Sequence, residues 1–315
     1  MNERIGDDDL VNISTQQLQY LVAVSEAATW ADAAASLGVS PSALSQGVRQ
    51  LERRLGLTLF DRDARRRTLL PAAGPVLDYA RTVVAQTRDL TRWVAAASAG
   101  ESGQLRVGMI DLAATVYFGP TLQRFHRDRP DVALHLGVGP SGALCDDLLA
   151  GRLSLAVVVE PPVTTGELTV TPLLEDELAV YGPARPPGAP SITEEPGMAT
   201  PVGEWGPWVT FPRGSHTRHL VADRLTGLGV NFDVVAESHQ PEVLRGMVAL
   251  GMGWTVLPIL QAEAEPNPLV RAVPEPLLTR RLVAARRSGS LADPVVDAML
   301  EQLLAAIAPP PSSRA

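Results

Sequence analysis

The stretch from Leu18 to Gly74 constrains the fold more than any other part of the chain. Leu18, Leu21, Val22 and Ser25 recur at helical spacing, and Trp30, Ala33, Ala34 and Leu37 do the same, so each segment offers one face for burial. Gly38 then provides a residue that tolerates the left-handed backbone needed to leave a helix. Ser40 followed by Pro41 reads as a helix start, with a hydroxyl N-cap and a proline where no intrahelical amide bond is lost. The spacing predicts helices over about 15–27, 30–37 and 41–55. The third would bury Ala43, Leu44, Val48, Leu51 and Leu55 and keep Ser42, Ser45, Gln46, Arg49 and Arg53 outside. Two short helices, a tight turn and a third helix with small polar residues near its start are suited to reading a DNA major groove.

Beyond the helices, Leu57–Phe60 and Thr68–Leu70 are short apolar runs flanking the arginine-rich Asp61–Arg67, the pattern of a β-hairpin wing. The formal charge of −8 argues against nucleic acid when taken over the whole chain, but its distribution reverses the argument. Residues 1–100 hold 11 Arg and 11 acids, so the excess negative charge lies entirely in the remainder. Between Arg49 and Arg67 there are seven Arg and three acids, a strip basic enough for phosphate contacts. No lysine occurs anywhere.

From Pro75 to about Ala97 a long helix is expected, with Val76, Ala80, Val83, Thr87, Leu90 and Val94 spaced as a coiled-coil seam. A second copy of the chain is its simplest partner, and the ASAGESG stretch after it reads as a linker. Past Gly103 the pattern alternates: strand at 105–110, helix 115–127, strand 132–138, helix 141–150 and strand 153–159. That order implies a parallel sheet covered by helices. Strands near 168–174 and 177–182 follow, then a Pro- and Gly-rich segment over 183–207 expected to be irregular. A second α/β unit comes next: strand 208–211, helix 216–228, strand 232–236, helix 241–250 and strand 255–257. The strand at 282–284 and helix 293–308 would return to complete the first unit. The fold class expected is therefore α/β, with an N-terminal all-α winged helix-turn-helix and a C-terminal two-lobed, periplasmic-binding-protein-like domain. The boundaries are 14–74 for the DNA-binding domain, 75–102 for the linker helix and 103–309 for the two-lobed domain. Within the last, lobe 1 takes about 103–162 and 268–309, and lobe 2 about 163–267.

No run of about twenty apolar residues exists, which argues against a membrane-spanning helix, and the acidic N-terminus MNERIGDDDL does not look like a secretory signal, so a cytoplasmic location is expected. Cys145 is the sole cysteine, which excludes an intramolecular disulfide; it reads as a small apolar residue of the 141–150 helix rather than a redox sensor. Of the five histidines, His216 and His219 alone form a loose pair, and two ligands do not make a metal site. Neither a metal nor a cofactor is expected. There is no GxGxxG, P-loop or Gly-x-Ser-x-Gly, so no catalytic residues are assigned and an enzyme is disfavoured.

The chain resembles the LysR-type transcriptional regulators from about Thr15 to Ala308. The specific part is the alanine-rich ATWADAAAS followed by LGVSPSALSQGVRQLERRLGLTLFDRDARRRTLLPAAG, with weaker echoes in GQLRVG at 103–108, FHRDRPDV at 125–132 and MVALGMGWTVLP at 247–258. The resemblance implies a DNA-binding domain, a dimerising helix and an effector domain, assembled as homodimers or homotetramers on promoter or operator DNA. RNA polymerase is a further partner if the protein activates. Departures are Pro41-Ser42 where Gln-Pro is usual, Gly47 in place of a longer polar residue, Pro71 for threonine and Ser154 for aspartate. The first two bear on which operator is read and leave DNA binding untouched.

The DNA-binding candidates are Thr29, Ser40, Ser42, Ser45, Gln46, Arg49, Arg53, Arg62, Arg65, Arg66 and Arg67. Gln46 suits adenine and Arg49 guanine in the major groove, whereas Arg53 and the wing arginines suit phosphates or the minor groove. Ligands of hinged α/β lobes bind at strand C-termini and helix N-termini, which selects Asp111, Thr115, Ser141, Phe211, Arg213, Ser238 and His239 as effector-binding candidates. Asp111 would repel a carboxylate, while Arg213 and His239 would attract one. Two other readings are a constitutive repressor without a ligand and a cytosolic solute-binding or enzymatic α/β protein.

Overall fold

The computed structural model describes residues 11–61, 68–99, 103–162, 166–183, 203 and 205–307. These fall into two compact units, one running to Ser98 and including Leu149–Arg152, the other the rest of the chain from Ala99 onward.

The first unit is helical. Helix α1 (Thr15–Glu26) starts with a reciprocal capping box: the Gln17 amide donates to Ser14 Oγ at 3.2 Å, and the Ser14 amide to Gln17 Oε1 at 3.1 Å. Helix α2 (Trp30–Ser36) is capped by Thr29 and α3 (Pro41–Leu55) by Ser40, whose Oγ accepts from the Ala43 amide at 3.2 Å. Gly56, at φ +65°, ends α3. Leu18, Leu21, Val22, Ala33, Ala34, Leu44, Val48 and Leu51 close one core with Leu59, Phe60, Leu77 and Ala80. Ala43 is exposed, contrary to the expectation, because it lies about 100° around the helix from the Leu44–Val48–Leu51 stripe.

The wing is shallower than two strands. Phe60 and Leu69 form an isolated bridge, flanked by Asp61 N–H to Thr68 C=O and Leu70 N–H to Leu59 C=O, each at 2.9 Å. The buried carboxylate of Glu52 on α3 instead takes the amide of Leu59, at 2.8 Å, and that of Phe60, at 3.4 Å. Trp30 packs edge-on against Phe60, with ring centroids 5.6 Å apart.

Helix α4 (Gly74–Ala99) departs from a uniform intermolecular seam. Ala80 is buried, and Val76 and Val83 pack against the core of their own unit, so the first half of the expected stripe is already covered. The large apolar residues left exposed are Tyr79, Leu90, Trp93 and Val94.

The second unit is α/β. Its elements in order are β1 (Gly103–Met109), a π-turn (Ala113–Tyr117), α5 (Gly119–Asp128), β2 (Val132–Val138), α6 (Ser141–Leu149), β3 (Leu155–Val159) and β4 (Leu168–Tyr181). Then follow β5 (Trp208–Thr210), α7 (His216–Gly227), β6 (Val234–Glu237), α8 (Pro241–Ala249), β7 (Thr255–Pro258), α9 (Ile259–Ala262), β8 (Leu278–Arg287) and α10 (Pro294–Ile307). The helix expected over 115–127 is interrupted, because Pro120 lacks the amide that would bond back into the preceding turn and so opens a new helix.

The main sheet has the order β2-β1-β3-β8-β4-β7. The parallel sheet expected for the first lobe is confined to β2, β1 and β3; β8 and β4 join it antiparallel. The two strands expected at 168–174 and 177–182 are one strand, β4, with a register shift between Pro172 and Leu174 where proline can give the ladder no hydrogen. A parallel pair, β5 and β6, forms a second sheet, and Trp208 bridges in parallel to Trp254.

Two groups of cores define the lobes. One gathers β1, β3, α5, α6 and α10 around Met109, Phe125, Val157 and Met299. The other gathers Trp208, Val221, Leu225, Val256, Phe211 and Leu244. Leu269, Ala272, Val273 and Leu277 belong with the second group, so the chain recrosses inside β8, between Leu278 and Leu282, rather than near residue 268. The long antiparallel strands β4 and β8 carry both crossings.

Candidate nucleic-acid interface and ligand cleft

In the first unit the caps that start each helix also determine what stays available. The Thr29 hydroxyl accepts from the Asp32 amide at 3.1 Å and donates to its carboxylate at 2.7 Å, and Ser40 Oγ is shared between the Ala43 amide and Ser42 Oγ. Those two candidates are thus occupied in holding helix ends. On α3, Ser42, Gln46, Arg49 and Arg53 are exposed and Ser45 half-buried. Spaced by three and four residues, they form one polar face opposite the Leu44–Val48–Leu51 stripe. Arg54, one position beyond that face, is instead tied to the Asn12 carbonyl and to Gln17 Oε1. The wing candidates Arg62, Arg65, Arg66 and Arg67 lie outside the described residues.

The approach of α1 to α3 depends on Gly47. A Cβ at this position would lie 2.4 Å from Tyr20 Cδ2, so the ring occupies the space of the missing side chain. That contact sets how α3 is seated on α1 and hence where its polar face points.

The second unit holds a cavity of about 410 Å³ between its lobes. Ile110, Asp111 and Leu112 enter it after β1, Gly139–Ser141 after β2 and Val159 at the end of β3; Phe211, Ser215, Thr217, His239–Glu242 and Gln261 come from the other lobe, and Arg280 from the crossing strand. Three helices of the unit, α6, α7 and α8, begin at its wall. Of the effector candidates, Asp111, Ser141, Phe211 and His239 line the cavity, while Thr115, Arg213 and Ser238 do not. Thr115 bonds back to the Asp111 carbonyl at 2.9 Å, Arg213 is exposed, and Ser238 Oγ accepts from the Gln240 amide at 3.1 Å. Ser141 Oγ likewise accepts from the Val159 amide at 3.1 Å, within the first lobe.

The side chains that reach across the cleft, Gln261 and His216, were not among the effector-binding candidates. Gln261 Nε2 donates to Asp111 Oδ2 at 2.9 Å, and His216 Nδ1 lies 3.1 Å from the Val159 carbonyl. At the crossing, Arg280 and Asp176 are register partners on β8 and β4. Arg280 Nε and Nη2 reach Asp176 Oδ2 at 2.8 and 2.7 Å, and its Nη1 donates to Thr217 Oγ1 at 2.7 Å. The Tyr117 hydroxyl donates to Asp176 Oδ1 at 2.8 Å; burial first, then the Asp176 charge, pushes that phenol well above its ordinary range. The sequence does not single out Arg280, because a second arginine, Arg281, follows it before the apolar run that starts at Leu282.

Cys145 is buried among the first lobe's apolar side chains, and burial followed by the nearby Asp146 charge pushes its thiol up to about 11. Among the described residues no group of His, Cys, Asp and Glu is placed to hold a metal, and no helix is long and apolar enough to cross a membrane.

Compared with known proteins, residues 15–74 match the sequence model described as bacterial regulatory helix-turn-helix protein, lysR family, and residues 98–308 that of the LysR substrate binding domain. A probable nitrogen assimilation transcriptional activator of Synechococcus elongatus is 28% identical over 273 residues, 85% of this chain and 86% of the relative. Among solved structures, full-length OxyR from Pseudomonas aeruginosa superposes with a TM-score of 0.61 at 23% identity, covering 94% of this chain and 97% of that one. Full-length CbnR complexed with its target DNA gives a TM-score of 0.58 at 18% identity, covering 93% and 100%. At these identities the structural likeness speaks for the fold alone.

Proposed function

The chain belongs to the LysR family of transcriptional regulators, and from that premise we propose that it reads duplex DNA through α3 as a homodimer or homotetramer and is switched by a small molecule in the interlobe cavity. The observation that carries the reading is the exposed polar face Ser42–Ser45–Gln46–Arg49–Arg53, backed by an apolar stripe that fixes its direction. Gln46 can donate to and accept from an adenine edge, Arg49 can donate to the two acceptors of guanine, and Arg53 lies further along for the phosphate backbone. Thr29 and Ser40 contribute by holding the helix N-termini at which phosphates dock. Where the protein activates, RNA polymerase is a further partner, and a chromosomal target sets the cytoplasm as the working compartment.

The cavity supports the ligand half of this reading. It is enclosed by two lobes joined through the paired strands β4 and β8, an arrangement in which a bound molecule favours one lobe angle over another.

A genome-wide DNA pull-down with the purified protein, run beside Arg49→Ala, tests the DNA half. Wild type should enrich an interrupted palindrome, and the variant should lose about 1–3 kcal/mol of discrimination at the position it reads. Affinity should also fall steeply with salt, as arginines release counterions. Failure of wild type to enrich any shared sequence at moderate salt would defeat the proposal.

A further inference from the structure

One end of the cavity collects hydrogen-bond acceptors. Asp111 stands there at the end of β1, and Gln261 of α9 meets it from the other lobe, its Nε2 2.9 Å from Asp111 Oδ2. Gln261 is 7% exposed, and its Oε1, itself shielded from solvent, has no hydrogen-bond partner among the described residues. Turning the amide over does not help, since Oε1 would then face the carboxylate, which has no hydrogen to give. The amide sits at the cavity wall because the group it donates to does.

The nearby arginines are committed elsewhere, while His239 lines the cavity from the loop before α8. Arg280 is paired with Asp176 and Thr217, and Arg245 with Glu242 at 2.9 Å. Arg213, which the sequence offered as an attractor of carboxylates, is exposed and outside the cavity lining. A carboxylate and an unsatisfied amide oxygen side by side call for a donor with more than one hydrogen and a positive charge.

Resting on the reading of the cleft as a ligand site, we infer that the effector carries a protonated primary amine, held by the Asp111 carboxylate and, after a turn of its side chain, by Gln261 Oε1. An ammonium brings three donors and matches the Asp111 charge; a hydroxyl brings one donor and no charge. The N-terminal turns of α6, α7 and α8 at the same cavity offer amides to an electronegative group at the ligand's other end. Free amino acids and simple amines share this chemistry, and the two are separable by experiment.

Isothermal titration of the full-length protein with three probe sets provides the test: free amino acids, primary amines without a carboxylate, and matching carboxylic acids without an amine. At least one amine-bearing probe should bind while its deaminated counterpart does not. Binding to both amine sets assigns recognition to the ammonium alone, and binding to amino acids alone adds the helix N-termini; either supports the inference. Asp111→Asn, which keeps an oxygen for Gln261, should weaken binding by about tenfold or more, and Gln261→Met, which removes the unsatisfied oxygen, by a smaller factor. Tight binding of the acids, or amine binding untouched by both variants, overturns the inference while the cleft remains a ligand site in the first case. If no probe of any set binds to protein that still holds its DNA, the amine inference and the cleft reading fall together.

Discussion

Gly47 illustrates how a single residue can look like a defect in sequence and act as a fitting in structure. In an exposed helix it costs about 1 kcal/mol relative to alanine, and from sequence alone it reads as a departure from the family pattern. The structure places the Tyr20 ring where a Cβ would go, with Tyr20 itself 8% exposed and its hydroxyl 2.9 Å from Gln16 Nε2. Gly47→Ala is therefore expected to destabilise the helical unit by about 1–3 kcal/mol in urea unfolding, the range for overpacking, where propensity alone forecasts a gain. A more stable variant would show that the ring moves aside freely. This was illegible in sequence because the contact joins two helices, whereas the cap at Ser40 was legible because it is closed within three residues. Asp111, Ser141, Phe211 and His239 were reachable by the rule that ligands gather at strand ends and helix starts. Gln261 and Arg280 were not, since their importance lies in partners 150 and 104 positions away.

At the scale of elements, α4 does two jobs along its length. Its first half buries Leu77, Ala80 and Val84 in its own unit, and its second half leaves Leu90, Trp93 and Val94 exposed at 50%, 47% and 48%. Three large apolar side chains on the last turns of one helix are what a self-association surface requires. Trp93→Glu should shift the protein toward monomer in sedimentation velocity at micromolar concentration, with little change in far-ultraviolet circular dichroism. An unchanged assembly would remove α4's second half from the interface. The sequence carried the stripe but could not divide it, because heptad spacing does not say which neighbour covers a helix. Strand β4 makes the related point for sheets: the pattern reads as breaking between residues 174 and 177, yet one strand runs through, with its irregularity a register shift at Pro172.

Across the whole second unit, the crossing strands meet at a buried ion pair, Asp176–Arg280, with side chains 1% and 5% exposed. Asp176→Asn would leave the Arg280 charge desolvated without its partner, at a cost of about 3–5 kcal/mol. Calorimetry should show that loss in the unfolding of the second unit with the helical unit's transition unmoved; a loss under 1 kcal/mol would mean water reaches the guanidinium. Two lobes and a cleft were legible from alternating strand and helix patterns, but the recrossing was misjudged, because residues 269–277 are loop-like in sequence and apolar in packing. The position of β8 has a consequence for how the protein is made. This strand comes from the last part of the chain and lies between β3 and β4 in the sheet order. On the ribosome, the helical unit has all its core residues long before the sensor unit does. Until residues 278–287 emerge, β3 and β4 each present an open edge, so a product truncated before them is a DNA-binding unit joined to an aggregation-prone, half-built sensor.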